Sequence, residues 1–237
     1  MTRRRTGKGA RPKLVGVIAS EADLRAALQM QREPDFFELR LDSLSPIANQ
    51  LEKKISRLRA PLIITARDPR EGGVGNLSRP HRLDLLTRFL PVAKYIDVEL
   101  ALADAFAPLL ADARERSVGR ILSYHNFKST PSPRALSAKA QSAKFHGADI
   151  FKLATRTDTP AALARLVDFV TNNHVDSSRR SSAKADLPIS AMGIGKLGAI
   201  SRLLLARCGS VLNYGAITQP NVEGQTSLEM LRSSIGS

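Results

Sequence analysis

Short apolar, β-rich runs recur along the chain, and helical patterns lie between them. Eight runs read as strands: residues 13–19, 35–41, 61–66, 95–100, 120–124, 149–154, 188–192 and 210–214. Their hydrophobicity is continuous rather than alternating, which suits parallel strands covered on both faces. Between them, Thr159 caps Pro160, and Leu163, Leu166, Val167 and Val170 then share one helical face. Ser132-Pro133 opens another helix, which Gly147 is placed to end. Pro108 leaves the segment after Leu100 open between a kinked helix and one that starts late. Eight βα units in a chain of this length predict an α/β fold, a (β/α)8 TIM barrel. An open doubly wound sheet is the alternative, and the lack of a second-domain pattern favours closure. Residues 13–237 then form one barrel domain behind a disordered basic arm, residues 1–12.

Two polar stretches interrupt this pattern. Residues 67–80 follow the third strand, at the C-terminal face where barrel enzymes hold their chemistry. Residues 172–186, with a Ser-Ser-Arg-Arg-Ser-Ser core, precede the seventh strand on the opposite face and read as a surface excursion.

Composition narrows the class. A hydrophobic share of 43% excludes global disorder. No run approaches the roughly 18 apolar residues of a membrane span. One cysteine allows neither an internal disulfide nor a cysteine-based zinc site, and Cys208, flanked by leucines, reads as a packed thiol. No apolar core follows the basic start, so the cytoplasm is expected. The net charge is +14, and six basic residues fall within the first thirteen positions; without them the rest carries +8. Such a body attracts anions. An acidic small molecule suits it better than nucleic acid, because aromatics make up 5% and no binding motif is present. The arm could touch nucleic acid, but a solvated tail without a partner is the simpler reading.

Polar residues inside apolar strands carry the candidate chemistry. Lys152 interrupts Ile150-Phe151-Lys152-Leu153-Ala154. It is either a salt-bridged or snorkelling lysine, or an amine made nucleophilic by burial and neighbouring cations, able to form a Schiff base with a ketone. His125 ends the fifth strand and is either a hydrogen-bonded strand-end residue or a general base; His81, His146 and His174 sit in loop or helix contexts. Glu38, Arg40 and Asp42 alternate, so a strand would point all three to one face, as a salt-bridge layer or as a site. Gly193-Ile194-Gly195-Lys196-Leu197-Gly198 matches a dinucleotide motif, yet no acid lies between Leu187 and Val222 to bind a ribose. A phosphate site built by the loops after strands seven and eight is the better alternative for that segment.

Together these segments resemble the type I 3-dehydroquinate dehydratases of the shikimate pathway, over nearly the whole chain after the arm. Glu38-Leu39-Arg40-Leu41-Asp42 is similar to the family's second-strand E-x-R-x-D. Arg67 with Glu71-Gly72-Gly73 resembles its third-strand arginine and the following loop. His125-Asn126-Phe127 with Thr130-Pro131, the Lys152 strand, Ile200-Ser201-Arg202 and Gly224-Gln225 resemble its histidine, Schiff-base, carboxylate-binding and covering-loop segments. The resemblance implies a barrel enzyme, a hydro-lyase without metal or cofactor, commonly a homodimer. It would turn 3-dehydroquinate into 3-dehydroshikimate for aromatic amino acid biosynthesis. Lys152 would form the imine and His125 would move the C2 proton, with Glu38 and Glu71 orienting it and assisting proton transfers. Arg40, Arg67, Arg202, Asn221 and Gln225 would hold the substrate, Arg202 on the carboxylate. Asn221 and Glu223 replace the usual serine and proline of the covering loop, and the usual paired methionines become Met192 and Ile194. Glu223 is expected either to oppose loop closure, through added backbone freedom and a carboxylate near an anionic substrate, or to point to solvent or pair with an arginine. The rivals are a class I aldolase, which needs the same lysine, and a degenerate barrel kept as a basic nucleic-acid-binding or regulatory protein, which would have lost the lysine or the histidine; both are present.

Overall fold

The computed structural model describes residues 11–173 and 187–235. Eight parallel strands are joined by helices: β1 (Lys13–Ile18), β2 (Phe36–Arg40), β3 (Leu62–Thr65), β4 (Ala93–Glu99), β5 (Gly119–Asn126), β6 (Ile150–Arg156), β7 (Ile189–Ile194) and β8 (Leu212–Ala216). Each of the eight predicted strand runs overlaps one of them. Hydrogen-bonded ladders run in the order β7-β6-β5-β4-β3-β2-β1-β8. The remaining seam, between β7 and β8, is closed by Val211 N donating to Ile189 O at 2.9 Å and by two serines. Ser190 Oγ donates to Leu212 O at 2.7 Å, and Ala191 N donates to Ser210 Oγ at 3.0 Å. The sheet is therefore a barrel rather than an open doubly wound layer.

Local signals explain the helices. Ser132 and Thr159 accept from the backbone N–H groups of Ala135 and Ala162, capping the helices Pro133–Phe145 and Pro160–Asn172. Each has proline at its first position, where a missing N–H costs nothing. The second helix buries Ala162, Leu166, Phe169 and Val170, so its apolar face is turned slightly from the one predicted. Pro108 lies in the first turn of the helix Ala107–Glu115, which settles the open question after Leu100 in favour of a late start. Asp42 departs from its expected place. The strand stops at Arg40, and Leu41–Leu44 is already helical, so the period-two argument does not extend to it.

The strands bury apolar side chains on both faces. The larger cluster, with Phe37, Leu39, Ile64, Phe151 and Leu153, packs beneath the helices, and a smaller one including Val15, Ile63, Ile121 and Ile150 plugs the barrel interior. That inner plug makes a dry floor, and the polar interior stands above it. Cys208 is partly buried in the larger cluster, and burial raises its thiol pKa, as suits a packed rather than a reactive cysteine. Of the described helices, none is long and apolar enough to cross a membrane. Arg11, counted with the arm by sequence, pairs with Asp35 at 2.6 Å. The rest of the arm's basic run, His174 and nearly all of the 172–186 stretch lie outside the described residues.

Candidate active site

Strand stagger assembles the site. Glu38 pairs with Ile63 and Ile63 with Tyr95, so the β4 residue level with Glu38 lies two positions further on, at Asp97. The same step from Asp97 through Ile121 and Ile150 reaches Lys152. Side chains from alternate strands thus share a layer, as barrels generally arrange them. Lys152 Nζ donates to Glu38 Oε1 at 3.0 Å and to Asp97 Oδ2 at 2.9 Å, and lies 4.0 Å from the centroid of the Tyr214 ring on β8. Glu38, Asp97 and Lys152 are each at most 4% exposed. The nearest neighbours of the amine are therefore carboxylates, not the cations expected from sequence.

Those carboxylates belong to a buried ionic chain. Arg67 reaches Asp97 at 2.9 Å, Glu99 at 3.0 Å and Ser123 Oγ at 2.6 Å. Behind it Arg82, from the helix Arg79–Phe89, donates to Ala66 O and Asp68 and joins Glu99. Burial alone would raise Asp97, but Arg67 and Lys152 outweigh it and hold this carboxyl well below the usual range. Arg67 lines the cavity as predicted, yet much of its donor capacity serves these acids. Sequence reading missed Asp97, Glu99 and Arg82. The first two alternate along β4 in the pattern already noted on β2; for Arg82, a basic residue in a polar helix, no signal was available.

His125, at the end of β5, meets Glu71 from the loop after β3. Glu71 Oε2 accepts from His125 N at 3.0 Å and lies 2.9 Å from His125 Nδ1. Burial lifts Glu71 to about 7; Arg67 opposes the rise, while Glu99 and Asp97 add to it. Burial, reinforced by Arg67 and Lys152, lowers His125 well below the ordinary histidine value, so its ring is neutral at neutral pH. With Glu71 ionised, the proton sits on Nδ1 and Nε2 is left as a base. Asp42 holds this arrangement from outside. It pairs with Arg40 at 2.8 Å and accepts from Arg67 N and Val74 N, pinning the loop that carries Glu71. The two remaining described histidines are elsewhere: His81 is exposed, and His146 contacts Asp104 at the end of its helix.

Arg202, on the helix Gly198–Arg207, is 4% exposed. It donates to Tyr214 O at 3.0 Å and Gly224 O at 3.3 Å, but no carboxylate among the described residues pairs with it. Burial alone pulls its pKa down to about 10. A buried guanidinium without a counter-ion is a place for an anion. Gln225 accepts from Asn221 N through Oε1 at 2.7 Å, which leaves its amide NH2 as a donor. Lys152, His125, Glu71, Glu38, Arg40, Arg67, Arg202, Asn221 and Gln225 all line one cavity of about 230 Å³.

The glycine motif serves the covering loop. A Cβ on Gly198 would sit 2.8 Å from Gly224 Cα, so the loop backbone rests directly on the helix start. Gly195 N donates to Glu223 O, Lys196 N to Asp158, Leu197 N to Thr157 O and Gly198 N to Gly195 O. With these amides taken, the phosphate cradle considered for this segment is not available. Glu223 takes the second of its two expected places: its carboxylate, 56% exposed, lies 3.0 Å from Arg156 and ties the loop down. Glu223→Gln should therefore raise KM for the substrate by about two- to fivefold at low salt, as an exposed pair of up to ~1 kcal/mol implies, and the difference should vanish at high salt. Steady-state kinetics at two ionic strengths check it; a lower KM would restore the repulsion argument.

Comparison with known proteins places the chain and its fold. The family described as Type I 3-dehydroquinase matches residues 15–236. The 3-dehydroquinate dehydratase of Shouchella clausii is 30% identical over 232 residues, covering 93% of this chain and 86% of that protein. That of Methanothermobacter thermautotrophicus is 29% identical over 219 residues, covering 92% and 91%. Among solved structures, the 3-dehydroquinate dehydratase of Geobacillus kaustophilus superposes with a TM-score of 0.80 at 27% identity, covering 96% of this chain and 91% of that one. The Enterococcus faecalis enzyme gives 0.79 at 27%, covering 98% and 96%. The match begins within β1 and runs past the last described helix, so nearly the whole barrel lies inside it, and the chain belongs to the type I 3-dehydroquinase family.

Proposed function

We propose that Lys152, His125, Glu38, Glu71 and Arg202 divide the labour of a Schiff-base dehydration in this cavity. The enzyme is a hydro-lyase that converts 3-dehydroquinate to 3-dehydroshikimate, a step of the shikimate pathway towards the aromatic amino acids. The convergence of a buried lysine, a neutral histidine and an unpaired buried guanidinium on one cavity carries the assignment of roles.

The substrate carboxylate pairs with Arg202, which places the ring between that guanidinium and Lys152. Lys152 gives a proton to Glu38, since Asp97 is held ionised by Arg67 and is the poorer acceptor. The freed amine attacks the C3 ketone; loss of water from the carbinolamine leaves an iminium, an electron sink for the neighbouring carbon. His125 Nε2 removes the C2 proton and returns it to the C1 hydroxyl as that group leaves, so one histidine is base and then acid. Water then hydrolyses the product imine and restores Lys152. Arg40, Asn221 and Gln225 are left for the substrate's remaining oxygens. A homodimer in the cytoplasm completes this reading.

The test is the rise of enone absorbance when 3-dehydroquinate is added, against no signal with sugar phosphates. Its pH profile is a sharper measure. Glu71 must be ionised to hold the proton on His125 Nδ1, and its pKa is raised to about 7. As pH falls through that value Glu71 gains a proton, donates to Nδ1 and pushes the ring proton to Nε2, removing the base. kcat/KM should therefore fall below about pH 7, and Glu71→Gln should abolish this limb. A limb unchanged in Glu71→Gln would assign it to another group.

A further inference from the structure

Tyr214 completes the layer that holds Lys152, and none of the steps above uses it. Its side chain is 3% exposed, and its hydroxyl has no hydrogen-bond partner. Burial, with Glu38 and Asp97 adding to it, pushes the phenol well above its ordinary pKa, so it neither gives nor takes a proton at neutral pH. What it offers Lys152 is the ring face, 4.0 Å from Nζ to centroid.

We propose that the Tyr214 ring is a positioning residue for Lys152 that selectively stabilises the cationic iminium nitrogen. The inference rests on the Schiff-base role of that lysine. In the resting enzyme Nζ donates to Glu38 and Asp97, and the ring covers another side. Condensation changes this balance. The iminium nitrogen keeps one N–H, so at most one carboxylate retains its hydrogen bond. Attraction to a ring face needs charge rather than an N–H, so it survives the change. The carbinolamine before it is neutral and gains nothing from the ring. Tyr214 thus favours the step in which the carbinolamine C–O bond breaks and the nitrogen lone pair forms C=N. The hydroxyl departs as water with the proton that Glu38 took from the ammonium. The site already holds the carboxylates needed to balance charge; the ring adds cation stabilisation that costs the nitrogen no hydrogen bond.

A shape-conserving series tests this. Tyr214→Phe removes the unpartnered hydroxyl, keeps the ring and serves as the reference. Phenylalanines carrying one, two and three ring fluorines at the same position then drain the ring face of electron density with little change in volume. Each protein is mixed with saturating 3-dehydroquinate and quenched with borohydride, and the fraction of Lys152 carrying the adduct is read by mass spectrometry. The imine-formation constant should fall stepwise, by roughly 10- to 30-fold from none to three fluorines, the size of a desolvated cation–π contact. A flat series with normal trapping on Lys152 overturns the role of Tyr214 and leaves the Schiff base standing. A fall already complete in Tyr214→Phe assigns the effect to the hydroxyl and overturns it too. Unmodified Lys152 in the unsubstituted enzyme would sink the Schiff-base reading itself, and this inference with it.

Discussion

Lys152→Ala is expected to lower turnover by on the order of 10³-fold or more, because no other described amine can supply the imine. The loss has two parts that can be measured separately. Chemically, borohydride added with substrate should inactivate the native enzyme and leave a product-derived mass on Lys152, while the variant gains none. Structurally, removing the lysine leaves Glu38 and Asp97 facing each other in a layer that is almost fully buried. Breaking a buried ion pair from one side costs about 3–5 kcal/mol. For a chain of this size that is a fall in Tm of roughly 6–20 °C. Arg67 remains on Asp97 and limits the damage, so the variant should still fold at 25 °C. Lys152→Arg keeps the cation and cannot form an imine, which separates charge from nucleophile. It should recover part of the stability and none of the turnover. Full inactivation by borohydride with Lys152 unmodified would overturn the covalent role.

His125→Ala should separate imine formation from elimination. Lys152 and its two carboxylates are untouched by the change, so condensation proceeds and the imine accumulates. Proton removal from C2 then lacks a base, and such losses run about 10²–10⁴-fold in turnover. The trapped adduct carries the distinguishing signal. In the native enzyme borohydride should capture mainly product imine, whereas in His125→Ala the adduct should be heavier by one water, since elimination has not occurred. A product-mass adduct formed at the native rate would hand the base to Glu71 or to solvent. The side chain is only 10% exposed but faces the cavity at a strand end, and its backbone N–H to Glu71 survives the substitution, so the variant should still fold.

The eight strands, two capped helices and the lysine itself were legible in the chain because each is a local signal. A continuous apolar run reports two covered faces wherever it occurs, Ser132 and Thr159 cap the turn that follows them, and a lysine inside Ile150-Phe151-Lys152-Leu153 is anomalous without reference to anything else. The family resemblance extended this reading to Glu71, Arg202 and Gln225, whose neighbours in sequence say little about where they point. Local signals also misled. Asp42 continued a period-two pattern past the point where the strand gives way to helix. For Glu223 the sequence left repulsion and pairing with an arginine both open. Its partner Arg156 is far away in sequence and invisible to any window around the loop.

Sequence alone singled out Lys152 and Glu38 as charges on barrel strands, while Asp97 and Glu99, which alternate along β4 in the same way, went unread. Tertiary structure decided which of those charges meet. Lys152 and Glu38 are separated by 114 residues, Lys152 and Asp97 by 55, and only the stagger of the closed sheet brings them level with each other and with Tyr214. The same holds for Arg82, whose polar helix gives no hint that its guanidinium lies buried between Asp68 and Glu99. A buried charge is costly unless it is paired, but that requirement says only that a partner must exist. Which one it is depends on strand register and barrel closure, and both are set by packing across the whole molecule rather than by any segment of the chain.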